Sequence, residues 1–285
     1  MEFTDAPLEP FGEKLLQMSL PTQLSLKTPL VFRMVKELKG RGCLPWTGSH
    51  RAELCLDEAL TNAMVHGNKL DPDRKVHVTL CADARKWGVV IEDEGAGFKA
   101  EDIPDPDSAD NLFRESGRGI LLMKGYVDEM KYNGRGNRLF MTRHRQVEPE
   151  EAELRAAIES EEAASVPEGA ADAGPVAISR EGDVGIVQVL GARITEENVD
   201  AIRDAVNSLP GPRVVLDLGL VEFITSVGLS MLVGLYKSAR QKNGGLVLAS
   251  MQPSLQDIFE SAHLLRLFKL APNRHAAVAG LQKTA

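Results

Sequence analysis

Glu58 and Asn62 stand four residues apart in the stretch from Leu56 to Asn68, LDEALTNAMVHGN. Leu56, Leu60 and Ala63 or Met64 recur at three-and-four spacing, which predicts a helix with an apolar stripe. On such a helix Glu58 and Asn62 share one face, roughly opposite the stripe. A carboxylate and a carboxamide one turn apart aim two oxygens at one spot. The carboxamide oxygen is a hard ligand suited to Mg2+, which takes few protein ligands and keeps its other places for water and phosphate. The carboxylate is placed to take a proton or to orient a nucleophile. By itself this spacing also describes an ordinary solvated helix face, so the chemistry rests on residues further along the chain.

Two glycine-rich stretches come next. Asp93-Glu94-Gly95-Ala96-Gly97-Phe98 continues an apolar run, Trp87 to Ile91. A carboxylate at a strand end can accept a hydrogen bond from an exocyclic amine such as that of adenine. Gly95 and Gly97 permit tight turns and close approach of backbone to a ligand. Further on, Gly117-Arg118-Gly119 opens a predicted helix, Ile120 to Tyr126. Backbone N–H groups at a helix start, with the charge of Arg118, describe an anion site. Residues 99–116, polar and carrying Pro104 and Pro106, are too long for an ordinary connection and read as a functional loop or lid. His66, beside Gly67, is expected to cap or pack a helix end rather than accept phosphate. Each stretch alone is weak; their order supplies a metal ligand, a base, an adenine reader and a phosphate cradle.

The elements that must hold these residues emerge from periodicity. Leu15 to Leu20 reads as a strand and Pro29 to Lys39 as an amphipathic helix stopped at Gly40. Ser49 to Gly67 is the helix of the Glu/Asn pair, with Ser49 as N-cap. Val76, Val78 and Leu80 alternate with polar residues, and with Trp87 to Ile91 they predict a hairpin across Asp83 to Lys86. Two short strands, Asp128 to Tyr132 and Asn137 to Arg143, flank a Gly134/Gly136 turn. Between Val147 and Ala164 the chain holds seven Glu and one Arg, followed by an Ala/Gly/Pro-rich stretch. Residues 147–174 therefore read as a linker between a domain at 1–146 and another at 175–285. In the second domain, strands at Val176 to Ile178, Gly185 to Leu190, Arg213 to Asp217 and Leu246 to Ala249 alternate with helices. Those helices are Glu196 to Leu209 with Thr195 as cap, Ser226 to Lys242, and Ser254 to Ala262. That alternation predicts a small α/β domain.

The net charge of −8 disfavours nucleic acid as the main partner, because phosphate contacts need a surplus of Lys and Arg. Three cysteines without a C-x-x-C pair read as reduced thiols. The acidic, proline-broken N-terminus lacks the pattern of a signal peptide, and no run approaches membrane-spanning length. The expectation is a cytoplasmic protein without membrane contact.

Residues from about 18 to 145 resemble the GHKL (Bergerat) ATP-binding fold, an α+β two-layer sandwich. LDEALTNAMVHGN matches its N box, DEGAGF its first glycine box and GRGILLM its second. Within that superfamily the motifs resemble the anti-sigma-factor serine kinases of bacterial partner-switching systems. The resemblance implies ATP with Mg2+ and phosphoryl transfer to a protein serine. It implies Glu58 as general base, Asn62 as Mg2+ ligand and Asp93 as adenine reader. Gly95, Gly97, Gly117, Arg118 and Gly119 would shape the pocket and lid.

The second domain resembles STAS domains, the anti-sigma-factor antagonist fold, through Val214 to Leu218, Val221 to Leu229 and Gly244 to Leu248. The antagonists open their helix with Asp-Ser-Ser/Thr-Gly, and Ser226 matches the phosphorylated Ser. Thr225 replaces the Asp and Val227 the Ser/Thr, so Ser226 or Thr225 serving only as an N-cap stays open. The implied partners are a STAS antagonist or a sigma factor, with a PP2C-type phosphatase in the same circuit and a homodimer of the chain. Two other readings stand beside this one: a non-catalytic ATP-binding module that sequesters a regulator, and a GHKL ATPase driving a clamp.

Overall fold

The computed structural model describes residues 1–45, 49–99, 118–145 and 175–282. The chain divides into two units, one N-terminal and one C-terminal. The stretches read as lid and linker fall mostly at 100–117 and 146–174, outside the described residues, as does Gly117.

The strands of the first unit are β1 (Glu2–Thr4), β2 (Glu13–Pro21), β3 (Lys75–Ala82), β4 (Lys86–Asp93), β5 (Glu129–Asn133) and β6 (Arg138–His144). They form one sheet in the order β1-β5-β6-β4-β3-β2. The predicted hairpin is present: β3 and β4 pair antiparallel, with Val78 opposite Ile91. Asp83 builds its turn by accepting from Arg85 N (2.7 Å) and Lys86 N (2.9 Å). The parallel pairing of β1 with β5 has no signal in three residues of sequence.

Helices α1 (Lys27–Gly40), α2 (His50–Thr61) and α3 (Arg118–Lys124) complete the unit. Alternate residues Val76, Val78 and Leu80, then Trp87, Val89 and Ile91, turn one sheet face to Leu30, Met34 and Leu38 of α1 and to Leu56 and Leu60 of α2. Strand alternation thus meets the 3.6-residue helical stripe in a single core.

The expected helix from Ser49 to Gly67 is continuous, but its last turn is wider than an α-helix. Residues Asn62–Gly67 form a wider π turn. Its signature is Asn68 N donating to Ala63 O at 2.8 Å, five residues back. Ser49 stands at the N-cap position but its side chain makes no capping bond. Almost every α2 residue is buried, including Asp57 and Glu58. The polar face expected opposite the apolar stripe is therefore inside the protein.

The second unit contains β7 (Val176–Glu181), β8 (Val184–Val189), β9 (Arg193–Ile194), α4 (Val199–Asn207), β10 (Arg213–Asp217), β11 (Phe223–Ile224) and α5 (Ser226–Gln241). Strand β12 (Gly245–Ala249), α6 (Pro253–Ser261), β13 (Lys269–Ala271) and α7 (Arg274–Gln282) complete it. A five-stranded sheet runs β13-β12-β10-β8-β7, parallel except for β7, and β9 pairs with β11. Val184, Ile186, Val215, Val247 and Ala249 pack on Ala277, Val278 and Leu281 of α7. Residues on the opposite face, Val187, Val214, Leu216 and Leu248, are buried too, as in a parallel sheet covered on both sides. The helix expected from Glu196 begins at Val199, because Asn198 accepts from Thr195 N and donates to Arg193 O, which holds the chain in a turn first.

No helix among the described residues is long and apolar enough to cross a membrane. Cys43, Cys55 and Cys81 are buried free thiols. Leu60 is fully buried in the first core, while Phe32 of α1 is 67% exposed. Leu60→Ala is expected to cost about 3 kcal/mol of first-unit stability and Phe32→Ala less than about 0.5. Urea unfolding followed on the first unit checks both.

Candidate functional site

The site is assembled where the end of α2, the loop after β4 and the start of α3 meet. Glu58, only 2% exposed, faces the first turn of α3: a Cβ built on Gly119 would lie 2.3 Å from Glu58 Oε2. Only glycine lets that backbone approach the carboxylate so closely. Asn62, one turn on, is half-buried, and its Nδ2 is a buried atom with no hydrogen-bond partner among the described residues. The amide nitrogen is a donor, which an oxygen of a water or of a bound phosphate would satisfy.

Asp93, at the end of β4, is buried and touches the α2 side. A Cβ on Gly67 would lie 2.4 Å from Asp93 Cγ, and one on Gly95 would lie 2.1 Å from the Gly67 carbonyl oxygen. Asp93 Oδ1 accepts from Gly95 N at 2.9 Å. Burial pushes the Asp93 carboxyl up to about 6, against the opposing pull of the Gly95 N–H and the Arg135 guanidinium. Gly97 has φ +79°, and its missing Cβ would lie 1.9 Å from the Arg135 carbonyl oxygen. The turn from Asn133 to Asn137 clamps this loop. Arg135 donates to Gly95 O at 2.9 Å, and Asn137 Nδ2 donates to Asp93 O at 2.6 Å. Asn133 Oδ1 in turn accepts from the backbone N–H groups of Gly136, Asn137 and Arg138.

Asn68 has a structural role that its place in the motif does not announce. It is fully buried. Its Nδ2 donates to Thr22 Oγ1 and Lys75 O, both at 2.9 Å, and its Oδ1 accepts from Glu94 N at 2.8 Å. One carboxamide thus joins the end of the π turn to the end of β2, the start of β3 and the residue after Asp93. The paired Asn residues in Asn133-Gly-Arg-Gly-Asn137 are a second signal, which the glycines alone reveal only as a turn.

Glu58 meets Gly119, Asp93 and Gly95 meet Gly67 at the end of the π turn that Asn62 begins, and Gly97 meets Arg135. Arg118 begins α3, which has only seven residues. His66 is exposed in the π turn and packs in no core. Among the described residues no group of three or more His, Cys, Asp or Glu is placed to hold a metal ion.

In the second unit, Thr225 is the N-cap of α5, its hydroxyl accepting from Gly228 N at 3.4 Å. Ser226 is the first helical residue and half-buried. The capping role is therefore filled by Thr225.

A histidine kinase-like ATPase domain model matches residues 22–143, and a STAS domain model matches residues 176–277. The chain belongs to the histidine kinase-like ATPase family through its first unit and joins to it a STAS domain. BtrW of Bordetella bronchiseptica, a serine/threonine-protein kinase, is 30% identical over 95 residues, 32% of this chain and 67% of BtrW. The anti-sigma F factor of Shouchella clausii is 35% identical over 79 residues, 27% of this chain and 53% of that protein. BtrV of B. bronchiseptica, whose name describes an anti-sigma factor antagonist, is 42% identical over 70 residues, 25% of this chain and 60% of BtrV. The chain spans between about half and two thirds of the length of these curated relatives.

The Asp93 carboxyl gives the site a measurable pH signature. A carboxyl with a raised native pKa is protonated first in the folded state. From pH about 6 down to about 4 the folded state binds more protons than the unfolded one, and stability rises as pH falls. At neutral pH the ionised group costs about 3 kcal/mol. Asp93→Asn is expected to be more stable than the parent at pH 7.5 by up to that amount and to lose the advantage near pH 4. Urea titrations at both pH values measure it; parallel pH dependence in the two proteins would show an unshifted carboxyl.

Proposed function

We propose that this chain is an ATP-dependent protein serine kinase of a bacterial partner-switching system, with Mg2+ as its metal. The observation that carries the reading is the meeting of Glu58 with Gly119 beside the unpaired Asn62 amide. The surrounding residues fit a nucleotide. Gly67, Gly95, Gly97 and Gly119 stand where any side chain would collide with backbone or carboxylate, so main chain packs directly around Glu58 and Asp93. The buried Asn62 Nδ2 is a donor that a phosphate oxygen would satisfy, leaving the carboxamide oxygen to a cation.

Asn62 would hold Mg2+ through its carboxamide oxygen, and Asp93 would accept from the adenine amine. The resemblance implies that Gly95, Gly97, Gly117, Arg118 and Gly119 would shape the pocket and lid. When bound, ATP supplies the phosphoryl group. The work of the chain is positioning and proton handling. Glu58, held against the α3 backbone, orients the acceptor hydroxyl and takes its proton. Exclusion of water by the buried walls of α2 strengthens each of these electrostatic contacts.

The acceptor is a serine at the start of a STAS helix, on a separate antagonist or on the chain itself, where Ser226 is the candidate. Thr225 caps α5, and Ser226 follows it as the first helical residue. A phosphate there would be favoured by the N-terminal end of a 16-residue helix and would add about two negative charges to that surface. Phosphorylation would decide which protein the kinase unit holds: the antagonist, a sigma factor or another regulator. A PP2C-type phosphatase would reset the circuit, and a homodimer is the proposed assembly. We place the first domain at 1–146, the linker at 147–174 and the STAS domain at 175–285.

Incubation with γ-labelled ATP and Mg2+, with phosphosite mapping, tests the reading. Glu58→Ala is expected to lower transfer by about 10²–10⁴-fold, and Asn62→Ala to abolish Mg2+-dependent binding. Ser226→Ala removes label from the chain if the acceptor is its own. Transfer at the parental rate in both site variants sinks the assignment. ATP binding without transfer to this chain or to an added STAS protein favours the non-catalytic binding module.

A further inference from the structure

Lys27 is a lysine with 2% exposure, at the first position of α1. Its Nζ donates to Asp57 Oδ2 at 2.8 Å and to Thr61 Oγ1 at 3.0 Å. Asp57 is 3% exposed and Thr61 9%. The two acceptors are one turn apart on α2, and each immediately precedes a residue of the site: Asp57 precedes Glu58, and Thr61 precedes Asn62.

Burying an ammonium and a carboxylate is expensive, and their attraction repays it only when the geometry is good and further hydrogen bonds are made. An apolar pair of similar volume would hold α1 to α2 at least as well. What an apolar pair lacks is direction. Two hydrogen bonds from one ammonium to points a turn apart fix both the rotation of α2 and its position along its axis. Successive helix residues are about 100° apart, so the face at 57 and 61 lies next to the face at 58 and 62. Side-chain atoms stand about 5–6 Å from the axis, so a rotation of about 10° moves them by roughly 1 Å. A displacement of that size can cost about 10²-fold in rate.

The brace sits where the helix most needs one. Thr61 is the last residue of α2, and the chain changes to a π turn at Asn62. Asn62 N still donates to Glu58 O, four residues back, and the five-residue bond from Asn68 N to Ala63 O follows it, so the brace grips the last ordinary turn before the helix widens.

We infer that Lys27, through Asp57 and Thr61, is a positioning residue that sets the angle of α2 and so aims Glu58 and Asn62 into the site. The inference rests on the proposed roles of Glu58 and Asn62. It predicts a defect local to the end of α2 when the brace is removed without leaving a buried charge.

Lys27→Met/Asp57→Leu in the full chain removes both charges together. The variant is expected to unfold cooperatively, as the parent does. In hydrogen–deuterium exchange without nucleotide, amides of residues 61–68 should exchange at least about tenfold faster while those of β3 and β4 keep parental protection. With Mg2+ and ATP, kcat for serine phosphorylation should fall about 10²-fold, and KM for ATP should rise by less. Thr61→Val, which keeps the shape and loses the acceptor, should show the same pattern at smaller size. Parental exchange at 61–68 in a folded double variant overturns the inference, as does faster exchange spread evenly over the unit, which marks an ordinary packing pair. Absence of transfer by the parent itself would instead overturn the kinase reading, because the exchange measurement needs no nucleotide.

Discussion

One buried carboxamide holds the candidate site together. Asn68 spends both its nitrogen and its oxygen on three other segments: Thr22 after β2, Lys75 at the start of β3 and Glu94 after β4. A buried amide is stable only when its bonding capacity is used, so the segments are held at fixed separation or the residue is not buried at all. That separation lets Gly67 and Gly95 touch across Asp93, with no room for a Cβ at either. The glycines are required by the closeness, and the closeness is set by the amide.

The interior of the first unit is charged to an unusual degree for a core. Lys27, Asp57, Glu58 and Asp93 are all buried. Lys27 and Asp57 neutralise one another. Asp93 is met by the Gly95 N–H and responds to burial by holding its proton to about pH 6. Polar groups kept inside at such cost cluster where a protein does chemistry, because the same low dielectric that penalises them also strengthens what they do. The core beneath them is ordinary, with Leu56, Leu60, Val78 and Ile91 carrying the burial that offsets the cost.

The second unit solves a simpler problem. Its parallel strands are buried on both faces, and its helix α5 is capped by Thr225. Arg274 ties α7 to the sheet through Asp217 at 3.2 Å and Gln188 at 2.9 Å. The loss of Asp and Ser/Thr on either side of Ser226 alters the surroundings of that hydroxyl without altering how the helix begins, since Thr caps nearly as well as Asp does.

Much of the fold was legible because it rests on local rules. Alternation in Val76 to Leu80 and a turn-forming Asp83 announced the hairpin, and spacing in α1 and α5 announced the helices. The residue types at Glu58, Asn62, Asp93 and the glycines pointed to the chemistry of the candidate site, since metal ligation, proton transfer and close backbone approach each demand particular side chains. Features that depend on distant partners were not legible. Strand β1 is too short to show a period. Helix α2 reads as amphipathic but is buried on nearly all sides, because solvent exposure is decided by what else packs there. The widening of the helix into a π turn over Asn62–Gly67 has no compositional mark. The Lys27–Asp57 pair spans thirty residues and joins two helices whose contact no periodicity announces. Residue types and their order specify which groups the site contains. Their aim is set only when the chain folds, because angle and burial come from contacts between segments far apart in sequence.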